Sequence, residues 1–422
     1  MSLSHFQTEF DKMMNRDYFS DKIHPMRQKA FTKFLETGLP TQKWEDWRFT
    51  NLSEITKENF RISEIQDAPI NPIDLSEFEI DGVADIVIYN GHFQEDISSV
   101  PDGVQLMSGV DYLEKKNWEF NPAEHSPFDL LNTAFMDSGM SIMIDNGIVV
   151  EQPIRMIFLS SSEEKLMVSP VVHIELGESA SATFIEHHCG NSNSFFENGS
   201  TYITLGQNAQ LDHIRIQSNS SESINMANLN VEQFEDSRYS FLQFAEGGKL
   251  GRLNIHADLK GEGADCSLNG LALSTDTQHL DNHIITDHRV PHCTSSQNFK
   301  SVLQNKSSGV FNGRTIVRED AQKTDSSQSN KNLLLSKNAL MNSNPQLEIY
   351  ADDVKCAHGS TTGALDENAL FYLRSRGLDV LAAKALMVRG FANELLDKIK
   401  HDSIRSFITE RFDHWLTENT NA

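Results

Sequence analysis

A thiol and an imidazole lie two residues apart near the carboxyl end of the chain, at Cys356 and His358. In extended backbone this spacing places both side chains on one face. A thiolate is a soft metal ligand and an imidazole a borderline one, so the pair suits iron or an iron–sulfur cluster. Two ligands are too few for such a site, so the others must come from elsewhere in the fold or from another chain. The alternative is a buried cysteine beside a hydrogen-bonded histidine, because free cysteines are commonly buried.

A second group of candidate ligands is the run His279-Leu280-Asp281-Asn282-His283. On a strand, His279, Asp281 and His283 would face one way, which could form a metal set of two histidines and one carboxylate. A polar, histidine-rich strand face is the simpler interpretation, and we favour it.

The element that must hold the thiol–imidazole pair is a strand where a sheet-like body meets a helical tail. Residues 347–350 predict a strand because apolar and aromatic residues are flanked by polar ones. Gly359 and Gly363 bracket a Ser-Thr-Thr segment that we interpret as a turn. From Asp366 the pattern is helical, and Gly377 predicts the end of that helix.

An internal repeat with an offset of 29 residues lies within the body. The pattern Ile174-x-Leu176-Gly177-x-x-Ala180-x-x-x-x-Ile185 recurs as Ile203-x-Leu205-Gly206-x-x-Ala209-x-x-x-x-Ile214, with weaker echoes at Gly261-x-x-Ala264 and Ser336-x-x-Ala339. We expect the glycine to form a corner, the alanine to fit where the chain turns inward, and the apolar residues to line an interior. Strand-built repeats of this length predict a solenoid, and a large β-sandwich is the alternative.

Helical patterns flank this body. Residues 4–38 predict helices, Phe128 to Phe135 predicts another, and residues 379–416 predict a helical tail interrupted at Gly390-Phe391. We therefore expect three regions: a helical region with a connector (1–80), a β-rich core (81–363) and a helical domain (364–422). A tail this apolar must cover the end of the solenoid or meet a partner.

The composition excludes several classes of protein. The 422 residues carry 36 Lys and Arg against 60 Asp and Glu, a net charge of −24, which argues against binding nucleic acid or anionic lipid. No run is long and apolar enough for a membrane helix, and the amino-terminal residues lack the pattern of a signal peptide, so a cytoplasmic location is expected. The four cysteines form no Cys-x-x-Cys pair. Phosphate-loop, Rossmann and nucleophile-elbow motifs are absent, so we expect no ATP hydrolysis by the chain itself and no Rossmann cofactor site.

Four segments carry a family resemblance. They are Leu39-Pro40-Thr41-x-Lys43-x-Glu45-Asp46-Trp47-x-Phe49-Thr50, Pro345-x-Leu347-Glu348-Ile349, Asp352-Asp353-Val354-Lys355-Cys356-x-His358-Gly359 and Leu370-Phe371-Tyr372-Leu373-x-Ser375-Arg376-Gly377. They resemble the SufB/SufD family of iron–sulfur cluster assembly scaffolds, and the Cys-x-His-Gly form resembles its SufD branch. From the residues alone, Trp47 predicts an aromatic anchor that packs helices on the body.

The resemblance implies a fold, partners and a site. The fold is a right-handed parallel β-helix with helical domains at both ends. The partners are a SufB-like paralogue bound through the β-helix and a SufC-like ABC ATPase docked on the carboxyl-terminal helices, with a homodimer formed when the chain is isolated. The resemblance implies a non-catalytic scaffold and a nascent cluster shared at the subunit interface, with His358 and Cys356 as this chain's ligands. Flavin is associated with the assembled complex in that family, although no flavin motif is visible here.

Two alternatives remain open. One is a polysaccharide-active β-helix enzyme that would use carboxylates such as Asp276, Asp281 and Asp287 on one face. The other is a SufB-type subunit that holds a cluster alone, which the shortage of cysteine ligands disfavours. The sequence leaves the cluster type, the iron donor and the stoichiometry of any complex undecided.

Overall fold

Two long sheets of parallel strands wind together into a solenoid of about eight turns in the computed structural model. The structure describes residues 3–16, 23–67, 73–116, 121–190 and 194–420. Residues 68–72 of the predicted connector and the two final residues of the predicted tail lie outside that description. Strands make up 42% of the structure and helices 26%, which confirms the prediction of a mainly β solenoid with helices at both ends.

The bounds of the elements follow the chain. The helices are α1 Ser4–Met14, α2 Ile23–Thr37, α3 Ser53–Lys57, α4 Gly109–Lys116, α5 Pro127–Phe135, α6 Glu367–Ser375, α7 Val380–Leu396 and α8 Asp402–Thr420. The strands are β1 Arg61–Ile62, β2 Ala84–Tyr89, β3 His92–Phe93, β4 Val104–Ser108, β5 Met140–Ile144, β6 Ile154–Ser160, β7 Leu166–Val168, β8 Val171–Leu176, β9 Ser181–Gly190, β10 Phe195–Leu205, β11 Gln210–Asn219, β12 Ile224–Gln233, β13 Arg238–Ala245, β14 Leu250–Leu259, β15 Asp265–Ser274, β16 His279–His288, β17 Thr294–Leu303, β18 Ser308–Val317, β19 Asp325–Leu334, β20 Leu340–Ile349 and β21 Lys355–Gly363.

From β8 to β21 successive strands alternate between the two sheets, so each of these coils contributes one strand to each sheet. The first sheet runs β4-β5-β8-β10-β12-β14-β16-β18-β20, and the second runs β3-β2-β6-β9-β11-β13-β15-β17-β19-β21. Pairing is parallel except at the start, where β3 and β4 pair antiparallel with β2 and β5. The β2–β3 connection is an Asn-Gly turn, with φ of 48° at Asn90 and 88° at Gly91.

The 29-residue repeat is the register of the coils. Ile203 lies opposite Ile174, and Ile214 lies opposite Ile185. Ala180 and Ala209 are fully buried just after each corner, as predicted. The left-handed backbone falls on the residue before each alanine, Ser179 and Asn208 (φ 56° and 55°), and not on the glycines.

The repeat glycines instead allow close approach of neighbouring backbone. A Cβ on Gly177 would lie 2.3 Å from Asn146 Oδ1, and one on Gly206 would lie 3.0 Å from the carbonyl carbon of Gly177. The corner thus needs glycine for space between stacked coils.

The prediction that the apolar residues of the repeat line the interior is correct for the isoleucine before each corner and wrong for the isoleucine after it. Ile174 and Ile203 belong to the apolar core between the two sheets. Ile185 and Ile214 face outward and pack under α7 and α8, in a cluster with Val388, Ile404, Ile408 and other buried residues of those helices. The carboxyl-terminal helices therefore lie along the outer side of the second sheet, and the expectation that they cover the solenoid end is wrong.

The amino-terminal helices occupy the equivalent position on the first sheet. Phe10 and Phe31 stack with ring centroids 4.0 Å apart, and both meet Phe135 edge to face. Trp47 stacks on Phe128 at 5.2 Å and is buried, as the predicted aromatic anchor should be. This cluster also takes in outward residues of β10, β12 and β14.

Two local predictions are wrong. α7 runs through Gly390-Phe391 without a break and ends at Leu396, because packing on the second sheet outweighs the helix cost of one glycine. The segment bracketed by Gly359 and Gly363 is part of β21, because the ladder with β19 extends to the pair Leu333 and Gly363. In the described part of the chain, no helix has both the length and the apolar composition required to cross a bilayer.

Candidate functional site at the open end

Cys356 and His358 lie on β21, the last strand of the second sheet, which has β19 on one side and none of the described strands on the other. Register places Cys356 opposite Ser326 and His358 opposite Gln328. Both neighbours are buried and face the interior, so both predicted site residues belong to inward-facing rows of the solenoid. Since no described coil lies above, His358 is nevertheless exposed.

The two predicted ligands differ in environment. Cys356 is half-buried and packs against Val317, Ala321 and Ala351. Burial raises the pKa of its thiol, and the carboxylate of Asp325 raises it further. The thiol form is therefore favoured in the isolated chain, whereas a metal ligand must be the thiolate. His358 meets no such obstacle because a neutral imidazole binds metal directly.

In the described part of the chain, no His, Cys, Asp or Glu joins this pair as a third ligand. Among the described residues, one set of His, Cys, Asp or Glu atoms is close enough to surround an ion, and it consists of His256, Asp258 and Asp287 on the outer face of the first sheet. Arg318 donates two hydrogen bonds of 2.8 and 2.7 Å to Asp287, and Arg289 lies 2.9 Å from Asp258. These guanidinium groups already balance the carboxylates, so the cluster needs no cation.

The second predicted group anchors the amino-terminal region. Asp281 accepts hydrogen bonds from Arg252 (2.8 Å) and from the Thr50 hydroxyl (2.5 Å), and its other oxygen lies 3.1 Å from His283 Nε2. Arg252 lies 3.6 Å from the ring centre of Trp47, and His279 bonds Thr50 at 3.0 Å. The simpler interpretation of His279, Asp281 and His283 as a structural strand face is therefore confirmed.

The same contacts argue against a glycan-cleaving enzyme. Burial would raise the pKa of Asp281, but Arg252 and His283 outweigh it and hold the pKa well below the ordinary carboxyl range. A general acid needs a raised pKa. Asp287 is held by Arg318, and Asp276 occupies a solenoid corner with φ of 51°. No two of these three carboxylates form the acid–base pair that glycan cleavage requires.

A polar lining of the last coils was missed from the sequence. Thr286 and Thr315 lie 3.3 Å apart, Gln297 donates to Thr286 (2.8 Å), and Gln328 donates to Gln297 Oε1 (2.7 Å). We call these four residues the luminal polar column. The sequence holds a signal for it, because residues 324–330 are rich in Ser, Asn and Gln, and amide side chains can hydrogen-bond along the axis of a solenoid. What was missing was the direction each side chain takes.

A charged cluster inside the middle coils was also missed. His188 Nδ1 lies 2.5 Å from Glu197, and its Nε2 lies 3.4 Å from Glu186, with Arg215 near the same carboxylate. All four side chains are buried. Burial would lower the pKa of His188, but the two glutamates outweigh this effect and raise that pKa. The four side chains therefore form a network of ion pairs inside the solenoid.

The last coil presents unpaired backbone groups. The Lys355 amide donates to Thr324 and the Tyr350 amide to Val317, so the amides alternating with them face away from the solenoid. On β21 these include the amides of Cys356 and His358. Pro345 occupies an outward-facing amide position on β20, where the lack of an N–H costs the ladder nothing. An edge of this kind is a template for strand addition.

A second exposed surface lies on the carboxyl-terminal helices. α6 has no buried residue, and Phe371 and Tyr372 are 73% and 57% exposed. Val380, Leu381 and Leu386 of α7 are also exposed. Clusters of large exposed apolar side chains mark interaction sites.

The fold and the site together define a parallel β-solenoid protein. Its amino- and carboxyl-terminal helices pack along the outer sides of the two sheets, and its open last coil carries Cys356 and His358. Comparison with known families agrees with this description. Residues 158–391 match the SUF system FeS cluster assembly, SufBD core domain, and residues 3–156 match the SufBD protein N-terminal region.

Relatives extend over nearly the whole chain. The chain is 30% identical to the iron-sulfur cluster assembly protein SufD of Escherichia coli (strain K12), over 94% of this chain and 93% of that protein. It is also 30% identical to a SufBD family protein of Synechocystis sp. (90% and 88%) and to protein ABCI7, chloroplastic, of Arabidopsis thaliana (91% and 84%). The chain belongs to the SufB/SufD family of iron–sulfur cluster assembly proteins, within its SufD branch.

Proposed function

We propose that this chain is a scaffold subunit of a heteromeric complex that assembles iron–sulfur clusters, and that it is not itself the catalyst. The open last coil carries this proposal. It combines an exposed imidazole, a nearby thiol and a row of unpaired backbone amides on one edge of the solenoid. This is a surface that another strand-bearing subunit can extend.

The partner at this edge would be a SufB-like paralogue, whose own last coil pairs with β20 and β21. The nascent cluster is the cargo of such a complex, and His358 would be this chain's first ligand to it. Cys356 is the weaker candidate because burial favours its thiol form. The remaining ligands would come from the paralogue. In its absence, a second copy of this chain would pair through the same edge.

The other partner would be an ABC-type ATPase on the carboxyl-terminal helices. The large exposed apolar side chains of α6 and α7 support this assignment. A shared site must open for loading and release, and an ATP-driven subunit bound to the helices could shift the population of open and closed interfaces.

The test is co-purification of the tagged chain from its native cell. We expect a SufB-like chain and an ABC-type ATPase to be recovered with it, and iron and acid-labile sulfide to be present in the heteromer. A chain that purifies without either protein, or that holds a full cluster alone, would contradict the proposal.

A further inference from the structure

The interior of the solenoid changes character towards its open end. The apolar core between the sheets reaches Phe299 and Phe311, whose rings lie 5.4 Å apart. Beyond them the interior contains polar as well as apolar side chains. One row runs Leu268, Gln297, Gln328 and His358 in successive coils of the second sheet. His358 is therefore the last member of a row that begins in the apolar core and passes through the two glutamines of the luminal polar column.

The two hydrogen bonds that the glutamines of this column donate follow one another along the chain of contacts. Gln297 uses its amide N–H towards Thr286, and Gln328 uses its amide N–H towards Gln297. The amide N–H of Gln328 therefore points back towards the preceding coil. Gln297 Oε1 accepts from Gln328, but Gln328 Oε1 is buried and has no hydrogen-bond partner. The next residue in the row is His358.

The side chains of Gln297 and Gln328 occupy a space that exists because residue 313 is a glycine. A Cβ on Gly313, on the facing sheet, would lie 2.2 Å from Gln328 Nε2 and 2.8 Å from Gln297 Oε1. Any larger residue at position 313 would collide with the pair. The glycine therefore leaves the space that these two amide side chains occupy.

An imidazole that binds metal through one nitrogen usually donates its other N–H to a protein acceptor, which fixes the tautomer and the ring orientation. Gln328 Oε1 is a buried acceptor without a donor, one strand away from His358 and in the same row. We propose that Gln328 is the positioning residue of His358: its Oε1 accepts the imidazole N–H, so that the other nitrogen presents its lone pair at the open end.

This inference rests on the proposed function, because it assigns His358 a ligand role in cluster assembly. It goes beyond that function in naming the residue that sets the tautomer. Gln328 itself would not touch the cluster. Its effect would reach the cargo only through the imidazole.

The test uses three variants of the full chain. Gln328→Leu removes the acceptor, Gln328→Glu keeps an oxygen at the same place, and Gln243→Leu removes another buried inward glutamine far from His358. Gln328→Met, unbranched like glutamine, carries the same prediction as Gln328→Leu and replaces it should the leucine variant fail to fold.

The first measurement is the nitrogen-15 spectrum of His358 in the histidine-labelled chain, with the signal assigned by its loss in His358→Asn. We expect one dominant tautomer in the wild type, Gln328→Glu and Gln243→Leu chains. Gln328→Leu should show a mixture of tautomers. An unchanged tautomer in Gln328→Leu would overturn the inference.

The second measurement is iron and acid-labile sulfide in the heteromer reconstituted with ferrous iron and sulfide. Loss of a residue that orients a ligand costs about 10–100-fold in metal affinity, so Gln328→Leu should load poorly and Gln328→Glu should load well. If His358→Ala abolishes loading while Gln328→Leu loads like the wild type, this inference fails and the proposed function stands. If His358→Ala loads normally, the proposed function fails first.

Discussion

His358 and Cys356 share a strand face but differ in the protonation state that metal binding requires. The imidazole is exposed and needs only its neutral form, whereas the thiol must lose a proton that burial and Asp325 make harder to remove. We therefore expect His358→Ala to abolish cluster loading in the heteromer, and Cys356→Ala to cost less. Iron and acid-labile sulfide per complex measure both effects.

Assembly of these two variants should be normal by size-exclusion chromatography, because His358 is exposed and Cys356 lies only half-buried at the rim of a small apolar cluster. Lys355→Ala, outward-facing on the same strand, is a matched control with wild-type loading expected. A His358→Ala complex with the iron and sulfide of the wild type would contradict the assignment.

Asp281 carries a prediction about stability. Replacing it by Asn leaves Arg252 buried without its carboxylate, a change that typically costs about 3–5 kcal/mol. The folded-state pKa of Asp281 is depressed, so its stabilising effect is complete above the unfolded carboxyl pKa of about 4 and declines as the pH falls below it.

The free energy of unfolding, measured by urea titration from pH 7 to pH 3, tests this sign. The gap between wild type and Asp281→Asn should be largest at pH 7 and should shrink in acid. Asp276→Asn at an exposed corner is the control, because asparagine tolerates the left-handed backbone there. A gap that widens in acid would show that the pKa of Asp281 is raised instead.

At the scale of the element, the last coil is an edge that the fold leaves unpaired. Alternation along β20 directs the Glu348 amide towards β18 and the Ile349 amide away from the solenoid. Proline at position 349 should therefore remove only an outward donor, whereas proline at position 348 should remove a ladder hydrogen bond.

We expect Ile349→Pro to keep the melting temperature of the isolated chain and to weaken pairing with the paralogue. Glu348→Pro should lower the melting temperature. Ile349→Ala separates the loss of the exposed side chain from the loss of the amide. Equal pairing affinity in Ile349→Pro and wild type would place the partner elsewhere.

At the scale of the whole molecule, the carboxyl-terminal helices have two faces with different roles. One face is buried on the second sheet through residues such as Val388 and Leu395, and the other exposes Phe371 and Tyr372. Deleting everything after Gly363 would uncover the apolar outer side of the second sheet. A truncated chain would then lose ATPase binding through loss of stability as well as through loss of the contact.

Point variants separate the two roles. Phe371→Ala with Tyr372→Ala should abolish ATPase binding, measured by pull-down, while leaving the free energy of unfolding within about 0.5 kcal/mol of wild type, as for most surface changes. Leu395→Ala should cost about 2–5 kcal/mol of stability and leave ATPase binding intact. ATPase binding that survives the double variant would move the contact away from α6.

The sequence by itself determined the repeat, the solenoid and the position of the thiol–imidazole pair. These are local properties, because a 29-residue period and two-residue alternation follow from the geometry of stacked strands. The Trp47 anchor was equally local, since an aromatic residue beside helical apolar patterns has few other roles.

Only the tertiary structure decided which face each strand turns inward, and that decided the chemistry. Ile185 was expected inside and lies under the carboxyl-terminal helices, whereas Gln297 and Gln328 line the interior beneath His358. A side chain's face depends on the coil above and below it, and these neighbours are about 30 residues away in the chain. For the same reason, the continuity of α7 through Gly390 was visible only once its packing on the second sheet was known.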